Sequence, residues 1–204
     1  MTCRGGLRLS TSLAIAAISA ACGLTPPETV VPSLDARSAD AFDSLATRAV
    51  ALPLLEAADP CPVDTAAPIE PRIAPALGSG PVYPVMGGAR ISLAGAVRGP
   101  FDRFGLKTVW VSVDPVDERV LIRVTAIRPP DGDWPGFAVG HRPLDGIPSE
   151  LRLGPESNLQ FGGGPMPEGW RAWSSSTLVD GPGCYSFQID TARRSANVIF
   201  EVVP

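Results

Sequence analysis

Gly181-Pro182-Gly183-Cys184-Tyr185-Ser186-Phe187-Gln188-Ile189-Asp190, with the run from Ala196 to Val203 behind it, decides how the chain is read. Tyr185, Phe187 and Ile189 alternate with Ser186, Gln188 and Asp190, the period of two of a strand with one face on a core and one in water. Thr191 to Ser195 is polar enough for a tight connection. Asn197 to Val203 is rich in β-branched and aromatic residues that suit a pleated surface. The two runs are expected to pair antiparallel. Gly181-Pro182-Gly183 places proline between two residues that tolerate positive φ, so the chain can turn sharply into Cys184. Cys184 falls on the polar side of the alternation, so a bridge from it belongs at the strand's start or on an outer face, unless a bulge at Gly183 re-aims it.

Outward from that hairpin, the composition is globular, with 45% hydrophobic and 19% charged residues. The 23 prolines and 21 glycines cut the chain into short strands and irregular connections, and argue against a helical bundle. A net charge of −4, which loss of Arg4 and Arg8 would make two units more negative, has the wrong sign for nucleic acid. Those two arginines precede an apolar stretch, Leu9 to Ala20, too short to span a bilayer comfortably, and then Ser19-Ala20-Ala21-Cys22. This reads as an export signal over residues 1–21. It also resembles a bacterial lipoprotein signal, which implies that Cys22 becomes the lipid-bearing first residue and that the partner of this end is a membrane. Ser19 stands where that pattern has a Leu-like residue, and simple secretion after Ala21 is the alternative.

Cysteine counting follows from export. Cys3 would leave with the signal and, as the lipoprotein resemblance implies, Cys22 would be acylated, so Cys61 and Cys184 remain as one pair in an oxidising compartment and are expected to be bonded. Two separate thiols are the alternative. Residues 22–59 read as a tether, with Pro26, Pro27 and Pro32 near its start. Within it Phe42, Leu45, Ala49 and Leu52 recur at helical spacing, predicting a short amphipathic helix over about 39–51, packed on the domain or only partly ordered, ended by Pro53; association with a membrane surface is the weaker option, because its polar face is not basic. Residues 57–76 carry five prolines and Cys61 and read as an extended arm, clipped across the sheet near the terminal hairpin. The folded domain is therefore expected to start at about residue 60.

Within residues 60–204, Val82–Val85 and Arg90–Val97 are candidate edge strands, because Pro84 cannot donate to a ladder and Gly95 weakens its strand. Lys107 to Val113 sets Val109, Val111 and Val113 on one face, which leaves Trp110 on the less apolar one, over the disulfide or the arm. Residues 114–118 form a turn by composition, and Arg119 to Ile127 follows, so these two strands are expected to form a hairpin. One short strand, Glu150 to Leu153, interrupts a long Gly- and Pro-rich stretch, and strand character resumes over 170–179.

The segments Gly80–Val85, Lys107–Val111, Val120–Arg123, Trp170-Arg171-Ala172-Trp173 and Pro182–Asp190 ahead of Val198-Ile199-Phe200 resemble uncharacterised bacterial exported proteins and lipoproteins that end in a Gly-Cys-Tyr strand and a valine-rich strand. The resemblance covers roughly residues 60–204. It implies an all-β, immunoglobulin-like antiparallel sandwich outside the cytoplasm and implies no activity. In immunoglobulin domains the tyrosine precedes the second cysteine by two, whereas Tyr185 follows Cys184 directly, so the bridge is expected outside the inter-sheet core.

Catalytic chemistry has little to stand on. His141 is the only histidine and lies in Gly140-His141-Arg142-Pro143, without a nucleophile elbow. Asp131-Gly132-Asp133 lacks the rest of a calcium loop, and Gly162-Gly163-Gly164 precedes no Lys-Ser pair. No catalytic residue, metal site or cofactor is therefore expected. A hydrolase using the loop carboxylates and His141 stands as the competing class. The better binding candidates are aromatic: Trp134 and Phe137, with Trp170 and Trp173, could form a stacking surface for a glycan or for an envelope protein. The same rings could instead pad the core.

Overall fold

A computed structural model of the chain describes residues 41–56, 58–80, 82–113, 119–128, 135–138, 147–156, 159 and 165–204. Eleven strands are described: β1 (Ala66–Ala67), β2 (Ala76–Leu77), β3 (Val82–Val85), β4 (Arg90–Ser92), β5 (Phe104–Ser112), β6 (Val120–Arg128), β7 (Gly136–Ala138), β8 (Glu150–Leu153), β9 (Arg171–Val179), β10 (Gly183–Asp190) and β11 (Ser195–Val203). They form two sheets, ordered β1-β2-β3-β5-β9-β7 and β4-β11-β10-β6-β8. All pairings are antiparallel except β4 on β11. The fold is an all-β sandwich.

The terminal hairpin stands as the alternation requires. β10 pairs β11 from Gly183↔Val202 to Asp190↔Ser195, and Tyr185, Phe187 and Ile189 enter the core. There Phe187 stacks on Phe200 at 4.7 Å and meets Trp110 edge-on at 4.9 Å, while Tyr185 stacks on Phe200 at 5.5 Å. Against β6, β10 shifts register between Cys184 and Tyr185: Cys184 faces Arg128 and Tyr185 faces Ala126. Ile127 is thus the extra residue of a bulge, which turns Arg128 to the outer side with Cys184.

Two expectations for the middle of the chain are corrected. β5 and β6 are consecutive but do not pair; β5 lies between β3 and β9 in one sheet and β6 between β10 and β8 in the other. Composition marks the turn but does not say whether it returns a strand beside its predecessor or carries it across the sandwich. The facing of β5 is also reversed. Leu106, Thr108 and Trp110 point inward, and Val109, Val111 and Val113 lie in a separate apolar cluster on the outside of the sheet. Burying one indole removes as much apolar surface as several valine methyls, and the polar atoms on that inner face find partners. Trp110 Nε1 donates to Ser175 Oγ at 3.0 Å, and the Thr108 and Thr177 hydroxyls share a hydrogen bond of 2.8 Å.

β4 is an edge strand, whereas β3 has neighbours on both sides. Its neighbour β2 meets it only at Val85, so β3 behaves as an edge over Val82–Pro84, where a proline is tolerated. β7 falls in what reads as loop sequence. It needs Gly136, because a Cβ there would lie 2.1 Å from Ile147 Cγ2 and 2.7 Å from the Pro148 carbonyl oxygen. That close approach lets the Phe137 N–H donate to the same oxygen at 2.9 Å.

Candidate functional site

The three described aromatic candidates, Phe137, Trp170 and Trp173, do not converge. Phe137 is 1% exposed inside the sandwich, 6.3 Å from both Trp110 and Phe187. Trp173 is buried in the same core, opposite Trp110 in the β5–β9 register, and its indole N–H donates to the Glu156 carbonyl at 2.7 Å. Trp170 is half-buried on the other side of that sheet, against the cluster of Val85, Val111 and Ala172 where Tyr83 and Met166 also pack. In an extended chain, residues three apart face opposite ways, which separates Trp170 from Trp173. Trp134 lies outside the described residues, as do Cys22, Asp131, Asp133, His141 and Gly162–Gly164.

The disulfide is present: Cys61 and Cys184 are bonded, with Cα atoms 5.6 Å apart, on the outer side of the β10 sheet. Both cysteines are buried, because the outer face of that sheet is covered by the chain's own residues 41–64. Residues 41–46 are helical and seat Phe42 and Leu45 on Leu121 of β6. Arg152 of β8 lies over the Phe42 ring at 5.5 Å and reaches Asp43 at 3.4 Å. The helix ends at 46, ahead of the 51 that the periodicity predicts, because beyond it the backbone is captured by side chains of the sheet.

That capture forms a strap antiparallel to β10. Arg123 Nη1 donates to the Arg48 carbonyl at 2.7 Å. Gln188 accepts from the Ala51 N–H at 2.9 Å and donates to the Ala49 carbonyl at 3.1 Å, and Asn197 Nδ2 donates to the Ala51 carbonyl. Arg128 donates to the Glu56 and Asp59 carbonyls at 3.2 and 2.6 Å. After Cys61, the Asp64 N–H donates to the Ile199 carbonyl at 2.9 Å, and the Ile199 N–H donates to Asp64 Oδ2 at 2.6 Å. The folded unit therefore extends back to at least residue 41, past the boundary expected near 60.

Beneath the strap is a charged cluster. Asp190 is 0% exposed and accepts from Arg123 Nη2 at 2.7 Å, from Gln188 Nε2 and from Ser195 Oγ, with the Arg48 guanidinium 3.8 Å away. Arg123 Nε is buried without a partner. Ser186, Gln188 and Asp190 read as the wet face of β10, yet all three are buried. Gln188 and Asp190 use their polarity to hold the strap, while the Ser186 hydroxyl donates to the Phe187 carbonyl. The only sequence signal for this was the side-by-side run of polar residues on β10 and β6; the register Gln188↔Arg123 gives it meaning.

The loop between β4 and β5 is the other unusual surface. Phe101 and Asp102 hold φ of 62° and 55° without being glycine, a strain of about 1–3 kcal/mol each. Arg98 braces the loop by bonding Asp180 at 3.1 Å and the Asp102 carbonyl while lying over the Phe104 ring at 4.7 Å.

Among the described residues no three His, Cys, Asp or Glu side chains are placed to hold a metal ion, and no helix is long and apolar enough to cross a membrane. Fold and site together define a class: a two-sheet β-sandwich whose second sheet is covered by a disulfide-fastened N-terminal strap. No protein-family model matches the chain, and no curated protein matches it either.

Proposed function

We propose that this chain is an exported bacterial envelope protein, anchored to a membrane by lipid on Cys22, whose immunoglobulin-like sandwich is a binding or structural module and not an enzyme. The observation that supports it most is the Cys61–Cys184 disulfide. A buried bridge with ordinary spacing suits an oxidising compartment, and it leaves Cys22, behind the apolar N-terminal stretch, for acylation. The strap supports the modular reading, because the charged and amide side chains of the outer β10 sheet are engaged in holding the chain's own backbone. Tyr185 adds an immunoglobulin-like detail: its hydroxyl donates to the Gly181 carbonyl at 2.7 Å, four residues upstream, as in a tyrosine corner.

The test is metabolic labelling with a fatty-acid analogue in a bacterium expressing the full chain. The wild type is expected to incorporate label and partition with membranes, and Cys22→Ala to lose both. Equal labelling of the two, or a soluble unlabelled wild type, would overturn the anchoring.

A further inference from the structure

From residue 49 to 59 the strap is held by its main chain. Among the described residues none from 49 to 60 is buried, and every hydrogen bond that ties residues 49–59 to the sheet ends on a strap carbonyl or N–H. The groups that read this main chain come from three neighbouring strands: Arg128 on β6, Gln188 on β10 and Asn197 on β11, with Arg123 of β6 taking the Arg48 carbonyl just ahead. Gln188 is the most selective of them. Its one amide meets the Ala49 carbonyl at 3.1 Å and the Ala51 N–H at 2.9 Å, which fits a peptide only when it passes in one register. These groups are set in place from beneath. The Asp190 carboxylate, 0% exposed, accepts from Gln188 Nε2 at 3.1 and 3.2 Å, which leaves Oε1 turned to the strap, and it holds Arg123 Nη2 at 2.7 Å while Nη1 reaches the strap.

We propose that the outer face of the β10 sheet is a peptide-binding site that reads main chain, that residues 48–59 are the occupant built into the same chain, and that an unbridged copy accepts this segment from a second copy. Main-chain hydrogen bonds supply attraction whatever the side chains of the bound segment. Features beside the gripped run select this segment over other peptides. The helical turn at 41–46 seats Phe42 and Leu45 on Leu121, and the Arg48 guanidinium reaches the Ala192 carbonyl and Ser195 Oγ, each at 3.2 Å. All of these partners belong to the sandwich, so a strap from another copy meets the same set. Within one chain the tethered strap competes at an effective concentration on the order of millimolar, and the Cys61–Cys184 bond then fixes it in place. Exchange between copies therefore belongs to the chain before that bond closes. Neither export nor acylation of Cys22 enters into it.

The experiment weakens the resident strap and offers the segment in trans. The host is the mature chain with Cys22→Ala, Cys61→Ala, Cys184→Ala and Ala51→Pro, the last removing the N–H that Gln188 accepts from. The probe is a fluorescein-labelled peptide of residues 41–60, followed by anisotropy. It is expected to bind saturably, and its Leu52→Ser/Leu54→Ser form to bind within about 3-fold of it, whereas Ala51→Pro in the peptide or Gln188→Ala in the host should weaken binding by about 10-fold. No binding to a folded host at about 1 mM, the effective concentration of a tethered segment, would overturn the proposal. So would an equal affinity of the proline peptide, or a loss from the serine peptide as large as that expected from proline, which would mean that side chains are read. Should the bridge-free host unfold, the Cys22→Ala chain is reduced, refolded with an isotope-labelled copy and reoxidised with glutathione disulfide. Digestion is then expected to yield Cys61–Cys184 pairs with one light and one heavy half, in a share that falls when both copies carry Gln188→Ala. An absence of mixed pairs, or a share that Gln188→Ala leaves unchanged, would overturn the proposal.

Discussion

Removing the Cys61–Cys184 bridge should cost this protein a large part of its stability while leaving its core intact. The bond spans 123 residues, and in the chain-entropy account closing a loop of that length restricts the unfolded chain by about 5 kcal/mol at 25 °C. Total stability of a domain is on the order of 5–15 kcal/mol. The double variant Cys61→Ala/Cys184→Ala keeps both sheets, because neither cysteine belongs to the inter-sheet cluster of Trp110, Phe187 and Phe200. Its strap still has the Gln188, Arg123 and Arg128 hydrogen bonds but no covalent closure. A domain of this size moves by about 2–4 °C in Tm per kcal/mol, so thermal unfolding followed by circular dichroism should show a drop of about 10–20 °C. Amide exchange in the strap should accelerate more than exchange in β10, since the strap would open without global unfolding. A fall of less than about 3 °C would refute the reasoning. So would two thiols titrating in unreduced, denatured protein after Cys22 is replaced.

The remaining predictions concern the polar cluster, the core tyrosine and the aromatic set. Asp190→Ala strands the Arg123 guanidinium in a buried site whose Nε already lacks a partner, and should cost about 3–5 kcal/mol in denaturant unfolding; Asp190→Asn, which keeps an acceptor, should cost less. Burial, with the nearby Asp180 carboxylate adding to it, pushes the Tyr185 phenol up to about 12 from an ordinary 10. Its contribution to stability is therefore fully present below pH 10 and lost as pH rises through 12, and Tyr185→Phe should flatten that alkaline fall in unfolding curves. Phe137→Ala empties a site between Trp110 and Phe187 and should destabilise by about 3–5 kcal/mol. Trp170→Ala, on the half-buried outer face, should cost about half as much, and similar losses for both would contradict their different burial.

Much of this molecule could be read directly from its residues, because the readable parts depend on local periodicity or on chemistry. The alternation of Tyr185, Phe187 and Ile189 placed the inward face of β10, Val120, Ile122, Val124 and Ala126 did the same for β6, and a count of cysteines paired Cys61 with Cys184. Punctuation by proline and glycine pointed to short strands and away from a helical bundle, while the two-sheet sandwich was implied only by the resemblance to exported immunoglobulin-like proteins.

What needed the tertiary structure was whatever depends on which surface meets which. Periodicity separates two faces of a strand but cannot say which is inside when both are covered, so β5 turns Trp110 inward and three valines outward. A turn composition at 114–118 cannot report that the chain changes sheets between β5 and β6. The polar face of β10 looks destined for water until a distant segment, brought back by one disulfide, supplies backbone groups for Gln188, Arg123 and Arg128 to bind. Such pairings arise between residues 69 to 139 positions apart, a distance over which local propensity carries no information.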